Sequence, residues 1–508
     1  MLSTVKSLGV VGLKGHLIEV EVHLTSALPN IEIVGLPDAA VKEAKERVKA
    51  AIQNSGFKLP TKKIIVNLAP ADIKKEGPIY DLPIAIAILA ACYKWPPNVV
   101  SHYVLCGELA LDGRVRPING LLPMAVFAKE NNEKKLFVPD KNKEEAALVQ
   151  GIEVLPVTNL KQVVNHIQGI QQIPSYQKEI EIISETKGQV DFSEVKGQKA
   201  VKRALEVAAA GGHNILMIGP PGTGKSMLAK RFATILPQLS YNEVLEVSKI
   251  YSVAGLLKNN GLLESRPFRG PHHTISNGGL VGGGRKPKPG EISLAHKGIL
   301  FLDELLEFNR DVLEVLRQPL EDKQVVISRV EGSISYPADF LLIATMNPCP
   351  CGYYGTDSNK CSCPPQKVEK YRSKISGPLL DRMDIHIEVP SICFDDLVSN
   401  ESEEERSAQI KERVLFARDR QQSRFDKSSD GTVNSQMTSQ ELKTFCKLDS
   451  DSENLMRLAF DNLGLSARAY DKILRVARTI ADLENKQNIQ KHHVAEAIQY
   501  RSLDTALS

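Results

Sequence analysis

The sequence carries Gly219-Pro220-Pro221-Gly222-Thr223-Gly224-Lys225-Ser226, and this stretch decides the fold of the central part of the chain. The apolar run 214–218 before it predicts a buried strand, and 227–232 after it predicts the first turns of a helix. In that context a G-x-x-x-x-G-K-S loop surrounds phosphates with backbone N–H groups, and its glycines leave room for them. Lys225 supplies a positive charge, Ser226 supplies a hydroxyl ligand for Mg²⁺, and Met227 completes the predicted contacts. The stretch therefore predicts a nucleoside triphosphate site.

Two later strands are predicted to bring polar side chains to this site. The apolar run 298–304 ends in Asp303 and Glu304. Such a strand delivers Asp303 to Mg²⁺ and Glu304 to the attacking water. The next apolar run ends in Asn347, whose amide can hold that water or the γ-phosphate; an asparagine that only makes a turn is the alternative. Together with the phosphate loop, these side chains predict an ATP hydrolase.

The bulk composition limits the other classes of function. With 508 residues the chain is too long for one hydrophobic core. Its formal charge of +3 is close to neutral, so any nucleic-acid binding must come from a local patch or an assembled ring. The longest apolar run, 82–92, is too short to cross a bilayer, and no signal-peptide pattern begins the chain. We expect a cytoplasmic protein without a membrane partner, whose 8 cysteines are free or metal-bound.

Residues 1–175 predict an α/β domain. Alternation at 17–24 indicates a half-buried strand, and 38–54 has the apolar spacing of an amphipathic helix. Three stretches resemble the Lon-protease-type (ribosomal S5 domain 2-like) fold, namely 68–72, 76–81 and 107–115. Where that protease has a serine and a lysine, this sequence has Ile79 and Leu122, which can act neither as nucleophile nor as base. The resemblance implies an inactive relative of a peptidase, kept for assembly or for holding a partner.

The rest of the chain resembles the AAA+ P-loop ATPases, in which a helical lid follows the ATPase core. We predict a linker at 176–190, the core at 191–395 and the lid at 396–508. By this resemblance Asn347 takes the sensor-1 role. In AAA+ proteins a Val-x-Gly-Gln segment before the first core helix lines the adenine pocket, and an ordinary helix start is the alternative. The adenine-pocket candidates here are Val195, Gly197 and Gln198.

Two arginines resemble those that AAA+ rings use to sense the nucleotide. Arg382, within 377–384, resembles the arginine finger. A guanidinium suits the phosphoryl-transfer transition state, and because this finger acts across a subunit boundary, Arg382 implies an oligomer. Arg468 resembles the sensor-2 arginine, and the sequence leaves open whether it acts in its own subunit or on the neighbour.

Two insertions interrupt the core. The first, 266–290, is glycine-rich and concentrates positive charge; the second, 324–336, predicts a β-hairpin that contains Arg329. In the AAA+ group that contains magnesium chelatase and the MCM helicases, both insertions face the central channel. There they would contact a DNA backbone, and a solvated surface loop is the alternative. The first insertion contributes Arg285, Lys286 and Lys288 to the predicted DNA contacts.

Four cysteines form a C-x-C pair of pairs directly after the sensor-1 strand. Cys349 and Cys351 are separated by nine residues from Cys361 and Cys363. Four thiolates in so short a loop can bind a structural Zn²⁺ tetrahedrally. Four reduced thiols, or disulfides, remain as alternatives. The adjacent histidines His272 and His273 have no nearby Cys or carboxylate partner, so we expect a structural role for them.

The whole chain resembles the magnesium-chelatase-like AAA+ family, with the most specific motifs at 267–273, 289–296 and 347–352. The resemblance implies a hexameric, ATP- and Mg²⁺-dependent helicase that drives branch migration. It would promote integration of single-stranded DNA by homologous recombination during natural transformation. The implied partners are single- and double-stranded DNA, branched junctions, other copies of the chain and a recombinase filament. The alternatives are a chelatase-like motor that remodels a protein partner without DNA, and a regulator that uses ATP as a switch.

Overall fold

A computed structural model describes residues 2–177, 190–257, 263, 265–284, 287–329, 332–355, 361–391, 404–425 and 431–501. The chain divides into two compact units. The first unit contains Met1–Ile183 together with Ser240–Glu264, and the second contains Ser184–Leu239 together with Ser265–Ser508. Most of the predicted linker, 178–189, lies outside the described residues, as do Arg285 and Lys286. The domain boundaries drawn from the sequence stay predictions.

The first unit is built on a mixed seven-stranded sheet in the order β3-β4-β2-β1-β5-β8-β9, beside a small β6-β7 hairpin. Strand β2 pairs antiparallel with β1 and β4, and the remaining neighbours in the large sheet are parallel. The strands of this unit are β1 Leu2–Val11, β2 Lys14–Thr25, β3 Asn30–Val34, β4 Lys63–Ala69, β5 Tyr103–Leu105, β6 Glu108–Leu109, β7 Val115–Arg116, β8 Lys135–Pro139 and β9 Glu153–Val157.

Helices cover this sheet because their apolar faces need a partner. The first six helices of this unit are α1 Ala39–Asn54, α2 Asp81–Tyr93, α3 Pro97–Val100, α4 Leu121–Glu130, α5 Lys143–Ala147 and α6 Leu160–Ile167. Two 3₁₀ turns lie at Pro78–Tyr80 and Asp140–Asn142. Helix α2 is buried over 81–91 because β1 and β2 lie on one side and α1 on the other. Ile79 and Leu122, at the protease positions, are buried aliphatic side chains.

A helix that follows the phosphate-loop helix in sequence belongs to the first unit. It spans Tyr241–Ala254 and begins with a capping box in which Ser240 and Glu243 satisfy each other's backbone N–H groups. Its Ser252 hydroxyl donates to the buried carboxylate of Glu145, at 2.5 Å, and Tyr241 donates to the carbonyl of Leu148, at 2.6 Å. The first unit is therefore built from two separate parts of the chain.

The second unit contains a parallel five-stranded sheet in the order β11-β14-β17-β10-β18. Because the strands run the same way, the segments after β10, β14 and β17 meet at one edge of the sheet. Two hairpins, β12-β13 and β15-β16, stand apart from it. The strands are β10 Ile215–Ile218, β11 Phe268–Arg269, β12 Gly282–Gly283, β13 Lys288–Pro289, β14 Ile299–Leu302, β15 Gln324–Arg329, β16 Gly332–Pro337, β17 Leu341–Met346 and β18 Ile385–Glu388.

Helices flank the second sheet and form the predicted lid. Numbered in chain order, with Tyr241–Ala254 as α9, they are α7 Lys199–Gly211, α8 Lys225–Ile235, α10 Asn277–Val281, α11 Glu291–Leu294, α12 Arg310–Val315, α13 Arg317–Asp322, α14 Pro365–Arg372, α15 Gly377–Leu380, α16 Ser407–Arg424, α17 Ser439–Phe445, α18 Ser450–Leu463, α19 Ala467–Leu483 and α20 Lys491–Gln499. Short 3₁₀ turns occur at Phe192–Glu194, Leu305–Glu307 and Asn434–Gln436. One hydrophobic core joins the sheet to the C-terminal helices. Among the described residues, no helix has both the length and the apolarity that crossing a membrane requires.

Candidate nucleotide-hydrolysis site

The phosphate loop lies between β10 and α8, as the sequence predicts. Gly219 continues the sheet by donating its N–H to the carbonyl of Met346, at 3.2 Å. A Cβ at this position would meet the Val389 carbonyl oxygen at 2.3 Å, so only glycine fits. Gly222 and Gly224 have φ angles of 81° and 83°, the left-handed region that glycine adopts without strain. The conformation of the loop therefore depends on its glycines.

Lys225 is folded across this loop. Its ammonium donates to the carbonyls of Gly219, at 2.6 Å, and Pro220, at 2.8 Å, and lies 3.4 Å from the amide oxygen of Asn347. Burial lowers the pKa of the Lys225 ammonium, and the negative charges of Asp303 and Glu304 oppose that shift. The structure thus brings Lys225, at the start of α8, next to Asn347, which directly follows β17.

The two predicted Mg²⁺ ligands, Ser226 and Asp303, are hydrogen-bonded to each other. The hydroxyl of Ser226 donates to Oδ2 of Asp303, at 2.7 Å. A hydroxyl and a carboxylate that converge in this way are the oxygen donors that Mg²⁺ prefers, and the remaining positions would be filled by water and phosphate oxygens. The pair fits the predicted metal.

Thr345 supports both acidic residues. Its hydroxyl donates to Oδ1 of Asp303, at 2.5 Å, and accepts the backbone N–H of Glu304, at 3.1 Å. Glu304 itself has a φ of 52°, which costs energy for a residue with a Cβ and is often found at functional sites. Sequence reasoning missed Thr345. The available signal was a threonine in an otherwise apolar strand, two positions before Asn347. The structure buries it fully, one residue beyond the Leu302–Ala344 pair of β14 and β17.

The adenine-pocket candidates lie at the start of α7. Val195 is buried, Gly197 donates its N–H to the carboxylate of Glu404, at 2.7 Å, and the Gln198 side chain donates to the carbonyl of Pro390, also at 2.7 Å. Glu404 also pairs with buried Lys202, at 2.5 Å. The segment is therefore held by residues from the C-terminal part of the chain, which sequence reasoning had not connected to it. Whether these residues contact adenine stays a prediction.

The two predicted sensing arginines lie near each other in one chain. Arg468 is 67% exposed, and its guanidinium lies 3.8 Å from the carboxylate of Asp381. Arg382 follows Asp381 directly, but its side chain is only 12% exposed and its guanidinium pairs with Glu321. One helical turn along α19, Lys472 binds the buried carboxylate of Asp384 at 2.9 Å, and this cation and His213 hold the pKa of Asp384 well below its usual range against the effect of burial.

The four cysteines of the C-x-C pairs come together, as expected for a metal site. All four sulfur atoms lie within 4.8 Å of one another. The Sγ atom of Cys349 is 3.3 Å from that of Cys351 and 3.9 Å from that of Cys361. A tetrahedral site with Zn–S bonds of about 2.3 Å needs sulfur–sulfur distances of about 3.8 Å, so the set fits zinc. A hydrogen bond from the Tyr353 backbone, aided by the neighbouring thiols, lowers the pKa of Cys351 to about 6, and a lowered pKa favours the thiolate that a metal binds.

A second group of metal-ligand types, Glu484 with His492 and His493, does not fit a metal. Nδ1 of His493 accepts the backbone N–H of Gln490, at 2.9 Å, so the ring proton is on Nε2 and faces Glu484, at 3.1 Å. A metal would need that nitrogen free of its proton. Glu484 also pairs with Arg203, which completes a structural hydrogen-bond group.

The two insertions contact each other. Tyr336 in β16 donates its hydroxyl to the carbonyl of Pro287, at 2.8 Å, which joins the second insertion to the first. Lys288 is exposed in β13, and Arg329 ends β15 with its side chain outside the description. Gly282 and its two glycine successors all have positive φ angles, so the turn between β12 and β13 depends on glycine.

Comparison with known proteins identifies the family to which the chain belongs. Three family models match it: Magnesium chelatase, subunit ChlI, at 191–397; Subunit ChlI of Mg-chelatase at 20–142; and Magnesium chelatase, subunit ChlI C-terminal, at 404–501. Competence protein ComM of Haemophilus influenzae is 43% identical over 99% of this chain and 98% of its own length. The protein YifB of Escherichia coli is 44% identical over 100% of this chain and 98% of its own length. Lon protease 2 of Bacillus subtilis is 29% identical over 30% of each chain. The chain therefore belongs to the magnesium-chelatase-like AAA+ ATPases of the ComM and YifB type.

Proposed function

We propose that this protein is a hexameric, ATP-driven DNA branch-migration helicase. Its task would be to extend the pairing of incoming single-stranded DNA with a homologous duplex during natural transformation. The name of ComM, which shares 43% identity over nearly the full length, supports the link to competence. The main support for an ATP-driven motor is the convergence of the phosphate loop, the Ser226–Asp303 pair and Asn347 at one edge of the parallel sheet.

The chemistry assigned to this edge is phosphoryl transfer to water. Ser226 and Asp303 would hold Mg²⁺, which would supply charge neutralisation for the phosphates. Lys225 turns from its carbonyl partners toward the phosphate oxygens, and Asn347 orients the water from the neighbouring strand. Glu304, aimed by its left-handed backbone and by Thr345, accepts the proton of that water. Arg382 and Arg468 complete the site from the neighbouring subunit of a ring.

The joined insertions are the proposed DNA contact. Because Tyr336 binds the carbonyl of Pro287, a movement of either insertion reaches the other. Exposed Lys288, together with Arg285, Lys286 and Arg329, would neutralise backbone phosphates without reading sequence. A ring would multiply these few cations, which reconciles DNA binding with a net charge of +3 for one chain. Single strands, duplexes, branched junctions and a recombinase filament are the proposed partners.

The test is ATP-dependent migration of a labelled three- or four-strand junction. We expect migration with the parent protein and none with Glu304→Gln, which keeps the side-chain size but cannot accept a proton. The variant should still bind ATP, since Lys225 and Ser226 are untouched. Migration that continues with Glu304→Gln would contradict the motor assignment.

The second candidate is a chelatase-like motor that remodels a protein partner without DNA. The three matching family models, which all describe a magnesium chelatase subunit, favour it. The two candidates differ in their response to DNA. If junction DNA leaves ATP turnover unchanged and is not migrated, the protein-remodelling candidate replaces the helicase.

A further inference from the structure

The guanidinium of Arg382 is bound within its own chain. Nη1 donates to the carbonyl of Pro378, at 2.6 Å, and Nη2 pairs with the carboxylate of Glu321. The Arg382 side chain is 12% exposed. A finger that serves a neighbouring subunit has to point out of its own, so this pairing must be exchanged for another before Arg382 can act.

The geometry favours such an exchange. Nε of Arg382 is buried and has no hydrogen-bond partner within the described part of the chain, so the present position leaves one donor unsatisfied. Glu321 is 54% exposed, and water can therefore solvate its carboxylate once the guanidinium leaves. A terminal phosphate offers the guanidinium two parallel charge-assisted hydrogen bonds, which an exposed carboxylate pair does not match.

The backbone of Arg382 stays fixed while its side chain moves. The amide of Asn214 donates to the Arg382 carbonyl, at 3.0 Å, and accepts the N–H of Leu342 in β17, at 2.9 Å. The finger segment is thus tied to the central sheet. Only the side chain needs to change partner.

Glu321 lies at the base of the second insertion. It is in α13, and β15 begins three residues later at Gln324. Between them Lys323 accepts the N–H of Ala338 at its carbonyl, at 2.7 Å, and its ammonium binds Asp339, at 3.1 Å, which closes the base of the hairpin. Glu321 therefore lies two residues before Lys323, the residue that closes the base of the hairpin.

We propose that Glu321 is the positioning residue of the arginine finger. It holds Arg382 in its own subunit until the terminal phosphate of the neighbour's nucleotide takes the guanidinium. Because α13 leads through Lys323 directly into β15, the release changes the contacts next to the base of the β15-β16 hairpin, and nucleotide state at one subunit boundary is thereby reported to the proposed DNA contact. This inference rests on the proposed function, because it requires a ring in which Arg382 acts on the next subunit.

The experiment compares Glu321→Gln with the matched control Asp322→Asn in the full-length protein. Both residues are exposed and adjacent, both changes remove one negative charge, and only Glu321 contacts Arg382. For Glu321→Gln we expect ATP turnover without DNA to rise about two- to fivefold, the range expected for loss of an exposed ion pair. The KM for ATP should stay within about twofold, since the phosphate loop is unchanged. The further stimulation by DNA should shrink, and Asp322→Asn should behave as the parent.

Arg382→Ala separates this inference from the function on which it rests. If Arg382→Ala abolishes turnover while Glu321→Gln leaves turnover unchanged or lowers it, Glu321 does not hold Arg382 back. The assignment of Arg382 as the arginine finger would then stand without it. If Arg382→Ala keeps parental turnover, the finger assignment fails and the inference fails with it. A rise in turnover for Glu321→Gln that Asp322→Asn does not share supports the proposal, because the two changes remove the same charge and Glu321 is the residue paired with Arg382.

Discussion

Replacing Thr345 with valine tests whether the two acidic residues need a common support. The hydroxyl of Thr345 donates to Asp303, at 2.5 Å, and accepts the N–H of Glu304, at 3.1 Å, and the residue is fully buried. Valine has nearly the same shape, so packing in β17 should persist. The substitution removes the hydroxyl that binds the carboxylate of Asp303 and the backbone N–H of Glu304.

The expected loss follows from these two contacts. A hydrogen bond to a charged group contributes about 1.5–3 kcal/mol, and one between neutral groups about 1 kcal/mol. The backbone N–H of Glu304 loses its acceptor as well, and that hydrogen bond helps to hold Glu304 in its left-handed backbone conformation. If these hydrogen bonds stabilise the transition state by about 1.4–2.8 kcal/mol more than the bound substrate, their loss lowers kcat for ATP hydrolysis about 10- to 100-fold.

The assay is steady-state ATP hydrolysis with a parallel measurement of nucleotide affinity. We expect the kcat of Thr345→Val to fall while the affinity for ATP changes less than about threefold, because the phosphate loop is intact. Thr345→Ser keeps the hydroxyl and is the matched control, so its kcat should stay within a few-fold of the parent. Equal kcat values for Thr345→Val and the parent would refute the reasoning.

Two further predictions concern the cysteine cluster and the sensor-2 arginine. Protein purified under reducing conditions should contain about one zinc per chain by elemental analysis, as expected for a closed four-thiolate site; Cys361→Ser should lose it, and a zinc-free parent would contradict the site. Because Arg468 lies beside the finger segment, we expect it to act on the neighbouring subunit. Mixing Arg468→Ala with Lys225→Ala, each inactive alone, should then restore ATP turnover, and a mixture that stays inactive would indicate action within one subunit.

The local elements of the ATP site could be predicted because they are written in contiguous sequence. The phosphate loop, the strand ending in Asp303 and the strand ending in Asn347 each carry a short pattern of apolar residues followed by polar ones. Parallel strands then bring their carboxyl ends to one edge, so the meeting of Ser226 with Asp303 was expected before any coordinates. The clustering of Cys349 with Cys361 followed from spacing in the same way.

Contacts between distant segments could not be predicted. The pairing of Arg382 with Glu321 joins residues 61 positions apart, and no periodicity connects them. The hydroxyl of Ser252 in α9 binds Glu145, which lies 107 positions earlier in the chain. In both cases many partners of the right charge or polarity occur along the chain, and only packing selects one.

By itself, the sequence determined the AAA+ core and the Lon-like resemblance of the first domain, and it predicted the residues around the nucleotide. These depend on backbone conformation and on patterns only a few residues long, which a single segment encodes. The tertiary structure decided which hydroxyl supports Asp303 and Glu304, which carboxylate pairs with Arg382 and which unit contains α9. Those outcomes depend on side chains from separate segments competing for the same partner, and that competition is settled only when the whole core is packed.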